Sequence, residues 1–310
     1  MRPARLNWPQ AARPPLVAVA HGSKDPRAAV TVHDLLDAVR DRAPGIDVRG
    51  AFLDHSAPSL LQVLDSLAPG TGADAWHACV TVPLLLTAAY HSKADIPARL
   101  AAAHAAHPGL DVRAAATLGP HPLLIAALER RLSEACVAVD DAAARAATGV
   151  VLAAAGSSDT AANAAVAALA DRWARERGWR AVVPAFASAS GPRPAEAVAS
   201  LLSCRGTRGP VVVATYLLAP GYFADQVRDG SLGAGASAVS GALGACPEVA
   251  QVVLDRYDAV LDRAAVRHAD RAWRDSSRSI TAFPLGNGCF RGNRRGTMHG
   301  AGRAANNLTR

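Results

Sequence analysis

Two short segments of the sequence each place a histidine after an apolar, strand-like run. His21 follows the run 16–20, and His91 comes a few residues after the run 80–86. In open parallel α/β sheets, residues just beyond the carboxyl ends of strands line the ligand crevice. Two imidazoles there can share a divalent metal ion or transfer protons near neutral pH, so both are predicted catalytic and metal-binding residues. The structural alternatives are an exposed turn histidine for the first and a helix-cap or surface histidine for the second.

A carboxylate follows another apolar run. Asp54 ends the run 48–53, so three predicted strands would each deliver one polar side chain to the same edge of a sheet. A carboxylate beside two imidazoles can bind a metal ion or accept protons from a substrate, and Asp54 is therefore the third predicted catalytic residue. His55 is a substitute candidate. The structural alternative for Asp54 is a cap for the helix near Pro58.

Groups that suit an anionic ligand lie close to both histidines. Gly22 permits a tight turn after His21, and Ser23 can cap the helix that Pro26 opens. Free N–H groups at the start of that helix would attract a carboxylate or a phosphate, and cationic side chains nearby add positive charge. The predicted substrate-binding residues are Gly22, Ser23, Lys24, Arg27, Tyr90 and Lys93.

The elements that position these groups alternate along the chain. Short β-type runs are separated by alanine-rich amphipathic stretches, a pattern typical of βαβ units and a parallel sheet. In the first half, strands are predicted at 16–20, 46–53, 76–82 and 110–116, and helices near 26–42, 58–68, 92–106 and 121–136.

An internal duplication is indicated by three landmarks that recur in the same order. They are 16–23 and 150–157, 84–91 and 216–223, and 118–122 and 243–247. The predicted fold class is α/β, with two similar domains that face one another across a cleft, each a parallel β-sheet flanked by helices. The predicted segments are an N-terminal extension (1–14), an active domain (15–137), a linker or frayed helix end (138–148), a degenerate domain (149–268) and a basic, disordered tail (269–310).

The two copies differ at the positions that carry chemistry. Ala155 stands at the position of His21, Phe223 stands where the first copy has its second histidine, and Ala187 is taken as the counterpart of Asp54. The glycine and the serine of the first turn persist in both copies. The first copy is therefore predicted to be chemically active and the second to be structural.

Composition excludes several classes of function. Of the formal net charge of +7, six arginines in the acid-free segment 278–310 supply +6, which leaves +1 for the other 277 residues. Such a nearly neutral body lacks the broad basic face that nucleic-acid binding requires. The five cysteines are scattered without a Cys-x-x-Cys spacing, which argues against a disulfide framework and against a cysteine-built metal site.

No apolar stretch of the sequence is long enough to span a bilayer without interruption, and the first residues lack the continuous apolar region of a signal peptide. The sequence therefore predicts a cytoplasmic protein without a membrane or nucleic-acid partner. Because two copies are fused in one chain, a monomer is predicted.

The histidine motifs resemble those of the sirohydrochlorin chelatase family, the class II chelatases that insert cobalt or iron. The resemblance rests on residues 18–27, on 51–54 followed by 58–60, and on 82–97, and it extends over roughly residues 15–265. The fused two-copy form, with histidines in the first copy alone, is similar to that of the long bacterial members. The family usually has glutamate where Asp54 stands.

The resemblance implies a metal chelatase that inserts Fe²⁺ or Co²⁺ into sirohydrochlorin, on the way to sirohaem or cobalamin. By similarity, His21 and His91 would hold the incoming metal ion and help to remove the two pyrrole protons. No tightly bound cofactor is implied, since the metal ion is a substrate. Two other functions stay open: a non-catalytic metal or tetrapyrrole carrier that uses the same histidines, and a small hydrolase built on Ser23 and His21.

Overall fold

Eight strands and nine helices alternate along the part of the chain that the structure describes. The computed structural model describes residues 13–69, 76–88, 94–204 and 209–280, with side chains as far as residue 263. The strands are β1 (Leu16–Ala20), β2 (Val48–Phe52), β3 (Ala78–Pro83), β4 (Asp111–Ala114), β5 (Gly149–Ala154), β6 (Ala181–Phe186), β7 (Val211–Tyr216) and β8 (Ala238–Val239). The helices are α1 (Pro26–Arg42), α2 (Leu60–Leu67), α3 (Ile96–Ala106), α4 (Pro122–Glu134), α5 (Ala142–Ala147), α6 (Thr160–Arg177), α7 (Pro194–Ser203), α8 (Tyr222–Gly233) and α9 (Pro247–Ile280).

The strands form two four-stranded sheets with the same topology. The first has the order β2-β1-β3-β4 and the second the order β6-β5-β7-β8, and every pairing is parallel. Parallel neighbours need a crossover connection, which helices supply here. The predicted α/β class, with two similar parallel sheets flanked by helices, is confirmed.

The central strand β1 is apolar throughout because both of its faces are covered. All five of its residues are buried. Leu16, Ala18 and Ala20 belong to one hydrophobic cluster, and Val17 and Val19 belong to another on the opposite face of the sheet. Strands that helices cover on both faces are expected to be apolar on both.

The helices form three layers around the two sheets. Helices α2 and α3 cover the outer face of the first sheet, and α7 and α8 cover the outer face of the second. The apolar residues of α1, α4, α6 and α9 lie in one cluster that also contains residues of both sheets. The two duplicated domains therefore share a common core on the faces of the sheets that these four helices cover.

Polar contacts reinforce this shared core. The Glu129 carboxylate on α4 accepts a hydrogen bond from the Trp173 indole N–H at 3.0 Å and another from Arg177 at 2.7 Å. Both donors lie on α6. The Trp173 side chain is fully buried, so its N–H would lose a necessary partner without this carboxylate.

Hydrogen bonds after the strands fix the register of the duplication. The Asp54 N–H donates to the His21 carbonyl oxygen at 2.9 Å, and the Ser188 N–H donates to the Ala155 carbonyl oxygen at 2.8 Å. Ala155 is thus the counterpart of His21, as predicted. The counterpart of Asp54, however, is Ser188, so the prediction of Ala187 was wrong by one residue. The sequence signal for this register is the Ala-Phe pair that precedes the position in both copies, at 51–52 and at 185–186.

Two segments differ from their predicted form. Helix α5 lies inside the predicted linker 138–148, and the Asp141 side chain accepts hydrogen bonds from the first N–H groups of this helix. Helix α9 continues to Ile280, so the first part of the predicted disordered tail 269–310 is helical. Residues 281–310 lie outside the described residues.

Residue contacts divide the chain into two units, Met1–Val266 and Arg267–Arg310. Both sheets belong to the first unit. The described helices include none whose length and hydropathy would allow it to cross a membrane.

Candidate functional site

The turn that carries His21 is joined to the turn after β2 by the main chain. Gly22 has a φ of +91°, and a Cβ at this position would lie 1.7 Å from the Asp54 carbonyl oxygen. A side chain is therefore excluded both by the left-handed conformation and by the close approach of the two backbones. The second copy repeats the arrangement, since Gly156 has a φ of +83° and a Cβ there would lie 2.0 Å from the Ser188 carbonyl oxygen.

Asp25, and not Ser23, caps the helix that begins at Pro26. The Asp25 carboxylate accepts a hydrogen bond from the Arg27 N–H at 2.9 Å, while the Ser23 hydroxyl oxygen accepts one from the Asp25 N–H at 3.1 Å. Ser23 is the predicted cap because serine is common at this position, but the cap lies two residues further on. The second copy uses Ser157 in the same way, with its hydroxyl oxygen 3.0 Å from the Asp159 N–H. This serine is thus part of the repeated scaffold.

Two adjoining cavities open at the carboxyl ends of the central strands. The first has a volume of about 450 Å³ and the second a volume of about 530 Å³. Both are lined by His21, Leu84, Leu217, Leu218 and Phe223. The half-buried His21 therefore lies where the two cavities meet, and residues from both domains face it.

Of the predicted substrate-binding residues, three share the first cavity with His21. They are Gly22, Ser23 and Lys24. The Lys24 side chain is exposed, and an ammonium group at the wall of a cavity attracts an anionic ligand.

Arg27 is engaged by two carboxylates. Its guanidinium donates to Asp25 and to Asp225, each at 2.6 Å. The hydrogen bonds from Arg27 hold the pKa of both carboxyl groups below their ordinary value. Since Asp225 lies on α8, the predicted substrate-binding Arg27 forms an ion pair that joins the first domain to the second.

Asp54 and the next residue, His55, have different surroundings. The Asp54 carboxylate is exposed, lies 3.6 Å from the Arg99 guanidinium and lines neither of the two cavities. It is not a helix cap either, because Ser59 caps α2 in a reciprocal pair with Gln62. His55 has a φ of +61°, an uncommon conformation for a residue with a side chain, and it lines the first cavity together with His21.

Tyr90, His91 and Lys93 lie outside the described residues. The structure therefore places one of the two predicted metal-binding histidines. Among the residues that it describes, no group of three or more histidine, cysteine or acidic side chains is arranged to hold a metal ion.

A second junction between the domains lies beside the second cavity. The Tyr216 hydroxyl donates to the Leu86 carbonyl oxygen at 3.2 Å. A Cβ at Gly119 would lie 2.4 Å from that hydroxyl and 2.1 Å from the Leu86 oxygen, so the contact has room only for glycine. Burial raises the pKa of the Tyr216 hydroxyl. The tyrosine therefore stays protonated and acts as a donor.

His121 is a capping residue rather than a member of the site. Its Nδ1 accepts a hydrogen bond from the Leu123 N–H at 3.3 Å, at the start of α4. Its Nε2 lies 3.5 Å from Asp255. Burial, and to a lesser extent the nearby positive charge of Arg256, lowers the pKa of this imidazole.

The second domain contributes to both cavities, which was not predicted from the sequence. Leu217, Leu218 and Phe223 line both cavities, although the second copy was predicted to be structural. The signal was present, since the run 216–223 had been identified as a repeat of 84–91, the run that ends in a predicted site residue.

Both halves of the chain match the same family model. The model, described as CbiX, matches residues 15–135 and again residues 149–260. Each match contains one of the two four-stranded sheets. No curated protein matches the chain.

Solved structures of related proteins share the fold, including two of SirB and one of CbiX. SirB from Bacillus subtilis with Fe³⁺ matches with a TM-score of 0.67 and 22% sequence identity, over 79% of this chain and 94% of SirB. The sirohydrochlorin chelatase SirB from Bacillus subtilis subspecies spizizenii, in complex with cobalt, matches with a TM-score of 0.62 and 20% sequence identity, over 80% of this chain and 94% of that chain. CbiX, the terminal enzyme for biosynthesis of sirohaem in denitrifying bacteria, matches with a TM-score of 0.54 and 20% sequence identity, over 79% of this chain and 98% of that chain.

Proposed function

The chain belongs to the CbiX family, and from this premise we propose that it inserts a divalent metal ion, Fe²⁺ or Co²⁺, into sirohydrochlorin. The proposal extends to this chain what is stated of the related structures. One of them is a sirohydrochlorin chelatase in complex with cobalt, another is a SirB with Fe³⁺, and the third is the terminal enzyme of sirohaem biosynthesis. The product would lead to sirohaem or to cobalamin.

The observation that carries the proposal is the place of His21 at the junction of the two cavities. The turn around it recurs in the second copy with Ala155 at the same position and with the same main-chain hydrogen bond. The fold of the turn therefore does not depend on an imidazole. This supports a chemical role for the imidazole, because a purely structural residue would be expected in both copies.

The chemistry of metal insertion suits the residues proposed to perform it. Imidazole binds borderline ions such as Fe²⁺ and Co²⁺, and near neutral pH it can also accept a proton from a pyrrole nitrogen. His21 is proposed to do this together with His91. The role of His91, like those of Tyr90 and Lys93 in substrate binding, rests on the family resemblance.

Lys24 and Asp54 are proposed to act at the edges of the site. Sirohydrochlorin is a polycarboxylate, and the exposed Lys24 ammonium at the first cavity offers it a charge-assisted contact. Asp54 is proposed as a proton acceptor that passes protons to solvent, because its carboxylate is exposed. Arg27 is proposed mainly to position α8, since its guanidinium is already shared by two carboxylates.

Anaerobic incubation of the purified protein with sirohydrochlorin and each metal ion tests the proposal, because insertion changes the absorption spectrum of the macrocycle. Many macrocycles converted per protein molecule would support a chelatase. Stoichiometric binding without turnover would instead identify a carrier, and ester hydrolysis that survives His91→Ala would identify a hydrolase. An insertion rate equal to that without protein would refute the proposal. The monomeric state and the cytoplasmic location stay predictions.

A further inference from the structure

The second domain brings an exposed aromatic pair to the candidate site. Tyr222 and Phe223, the first residues of α8, are 74% and 40% exposed. Their ring centroids lie 5.7 Å apart with an interplanar angle of 60°. Large aromatic side chains remove much apolar area from water when they are covered, so an exposed pair at the wall of a cavity is a surface suited to a ligand.

Phe223 borders three cavities. It lines the first and second cavities together with His21. It also lines a third cavity of about 440 Å³, to which Tyr222, Ser188 and Arg193 contribute. The Phe223 ring and the His21 imidazole thus face the same space, one from each domain.

The start of α8 is held against the turn that carries His21. Arg27 on α1 donates at 2.6 Å to Asp225, which lies in the same first turn of α8 as the aromatic pair. At Gly221, directly before the pair, a Cβ would lie 3.7 Å from the Asp25 Cβ, so the start of α8 lies next to the start of α1. The aromatic pair therefore has a defined position relative to His21.

The sequence separation from equivalent strand residues makes Phe223 the counterpart of His91. Pro83 pairs with Val19 in the first sheet, and Thr215 pairs with Ala153 in the second. Pro83 and Thr215 precede His91 and Phe223, respectively, by the same sequence separation. The position that holds an imidazole in the first copy thus holds an aromatic ring in the second.

We propose that Tyr222 and Phe223 form the wall on which the flat, conjugated macrocycle stacks, while the first domain delivers the metal ion. This inference rests on the proposed function and gives the second domain a role in substrate binding. A flat conjugated ligand fits an aromatic wall because offset or edge-on ring contacts are favourable beyond simple area burial. Lys24, which lines the first cavity together with the aromatic pair, supplies positive charge for the carboxylates at the edge of the macrocycle.

Titration of the protein with metal-free sirohydrochlorin under anaerobic conditions, followed by absorption and by quenching of protein fluorescence, tests the inference without any metal chemistry. Phe223→Ala is expected to raise the Kd about tenfold, and Phe223→Trp to keep it within about threefold of the wild-type value. Leu232→Ala is the matched control, because Leu232 also lies on α8, is 48% exposed and lines none of the three cavities. Its Kd should equal that of the wild type.

The outcomes separate this inference from the proposed function. If the wild type binds sirohydrochlorin and inserts metal, but Phe223→Ala binds it as tightly as Leu232→Ala does, the aromatic wall is refuted and the chelatase stands. If the wild type binds no sirohydrochlorin, the aromatic wall and the proposed chelatase function are both refuted. If Phe223→Ala leaves the Kd unchanged and instead dissociates an oligomer in sedimentation velocity experiments, the pair is a subunit contact and the inference is again refuted.

Discussion

The Asp54 N–H donates a hydrogen bond to the His21 carbonyl oxygen across 2.9 Å, so that a main-chain bond joins the turns after β1 and β2. The same bond joins Ser188 to Ala155 in the second domain. The backbone of the turn is thus built in the same way whether or not an imidazole is attached to it. The reactivity of His21 and the stability of its turn should therefore respond separately to mutation.

His21→Ala is expected to lower the rate of metal insertion at least about 100-fold, the scale of losing a positioned acid–base group. The free energy of unfolding should change by less than about 1 kcal/mol, since the second copy already has alanine at this place. Anaerobic insertion assays and urea unfolding measure the two quantities. Ala155→Ser serves as the control and should leave insertion within about twofold of the wild-type rate. A wild-type rate of metal insertion in His21→Ala would contradict the proposed role of this imidazole.

Gly22→Ala is expected to destabilise the protein by about 3 kcal/mol or more, because the new Cβ would lie 1.7 Å from the Asp54 carbonyl oxygen at a φ of +91°. Gly178→Ala is the matched control: its φ is +69°, but no atom lies within 4 Å of the added Cβ, so that about 1 kcal/mol of backbone strain is expected. Urea unfolding of both variants provides the comparison. An equal decrease in the free energy of unfolding for both variants would mean that the close approach of the two turns adds nothing to the cost of the Gly22 substitution.

The ion pair between Arg27 and Asp225 predicts a defined pH dependence. Its hydrogen bonds lower the pKa of the Asp225 carboxyl group in the folded protein, so the pair stabilises the fold above the ordinary carboxyl pKa of about 4. That contribution is lost as the pH falls through the lowered value. The difference in thermal unfolding midpoint between the wild type and Asp225→Asn should be constant above about pH 5 and should vanish in stronger acid. A difference independent of pH would contradict this account.

His121 should titrate below the ordinary histidine pKa of about 6.5, because burial and the charge of Arg256 disfavour its imidazolium form. The contribution of His121 to the free energy of unfolding is therefore complete above about pH 6.5 and decreases as the pH falls below that value. NMR spectra of the imidazole ring across this range measure the titration directly. His121→Asn, which keeps a side chain able to cap α4, should make unfolding less sensitive to pH between 7 and 5. A pKa at or above 6.5 would count against this explanation.

Cys79 should resist alkylation in the folded protein. It is fully buried, and burial raises the pKa of its thiol to about 12, so little thiolate exists at pH 8. Iodoacetamide treatment followed by peptide mass spectrometry should modify the exposed Cys136 much faster than Cys79, and urea should remove the difference. Equal rates without urea would show that the strand opens readily.

Local pattern was sufficient to predict the four strands and four helices of the first domain. The predicted strand 16–20 and helix 26–42 have the observed bounds of β1 and α1. The strand is apolar on both faces, and the helix has a proline at its start and buried residues at helical spacing. Such signals are local, so no knowledge of distant contacts was needed.

The site was predicted less completely because its decisive features depend on distant parts of the chain. Arg27 resembles a free cation in the sequence, but it contacts Asp225 on a helix of the other domain. The correspondence of Asp54 with Ser188 is fixed by main-chain hydrogen bonds between turns that are distant in sequence, although the repeated Ala-Phe pairs at 51–52 and 185–186 did offer a local signal for it. The wall built by Phe223 likewise depends on how the two sheets pack around one core.

Because the two domains are fused in one chain, their sequences can differ from one another. In an assembly of two identical chains, every mutation occurs at both symmetry-related places. Here His21 and Ala155 occupy corresponding turns of one polypeptide, and each can change alone. Selection can thus adapt the turns of one domain for contact with a ligand and preserve those of the other for reactivity, provided that the hydrophobic core shared by the two domains stays well packed.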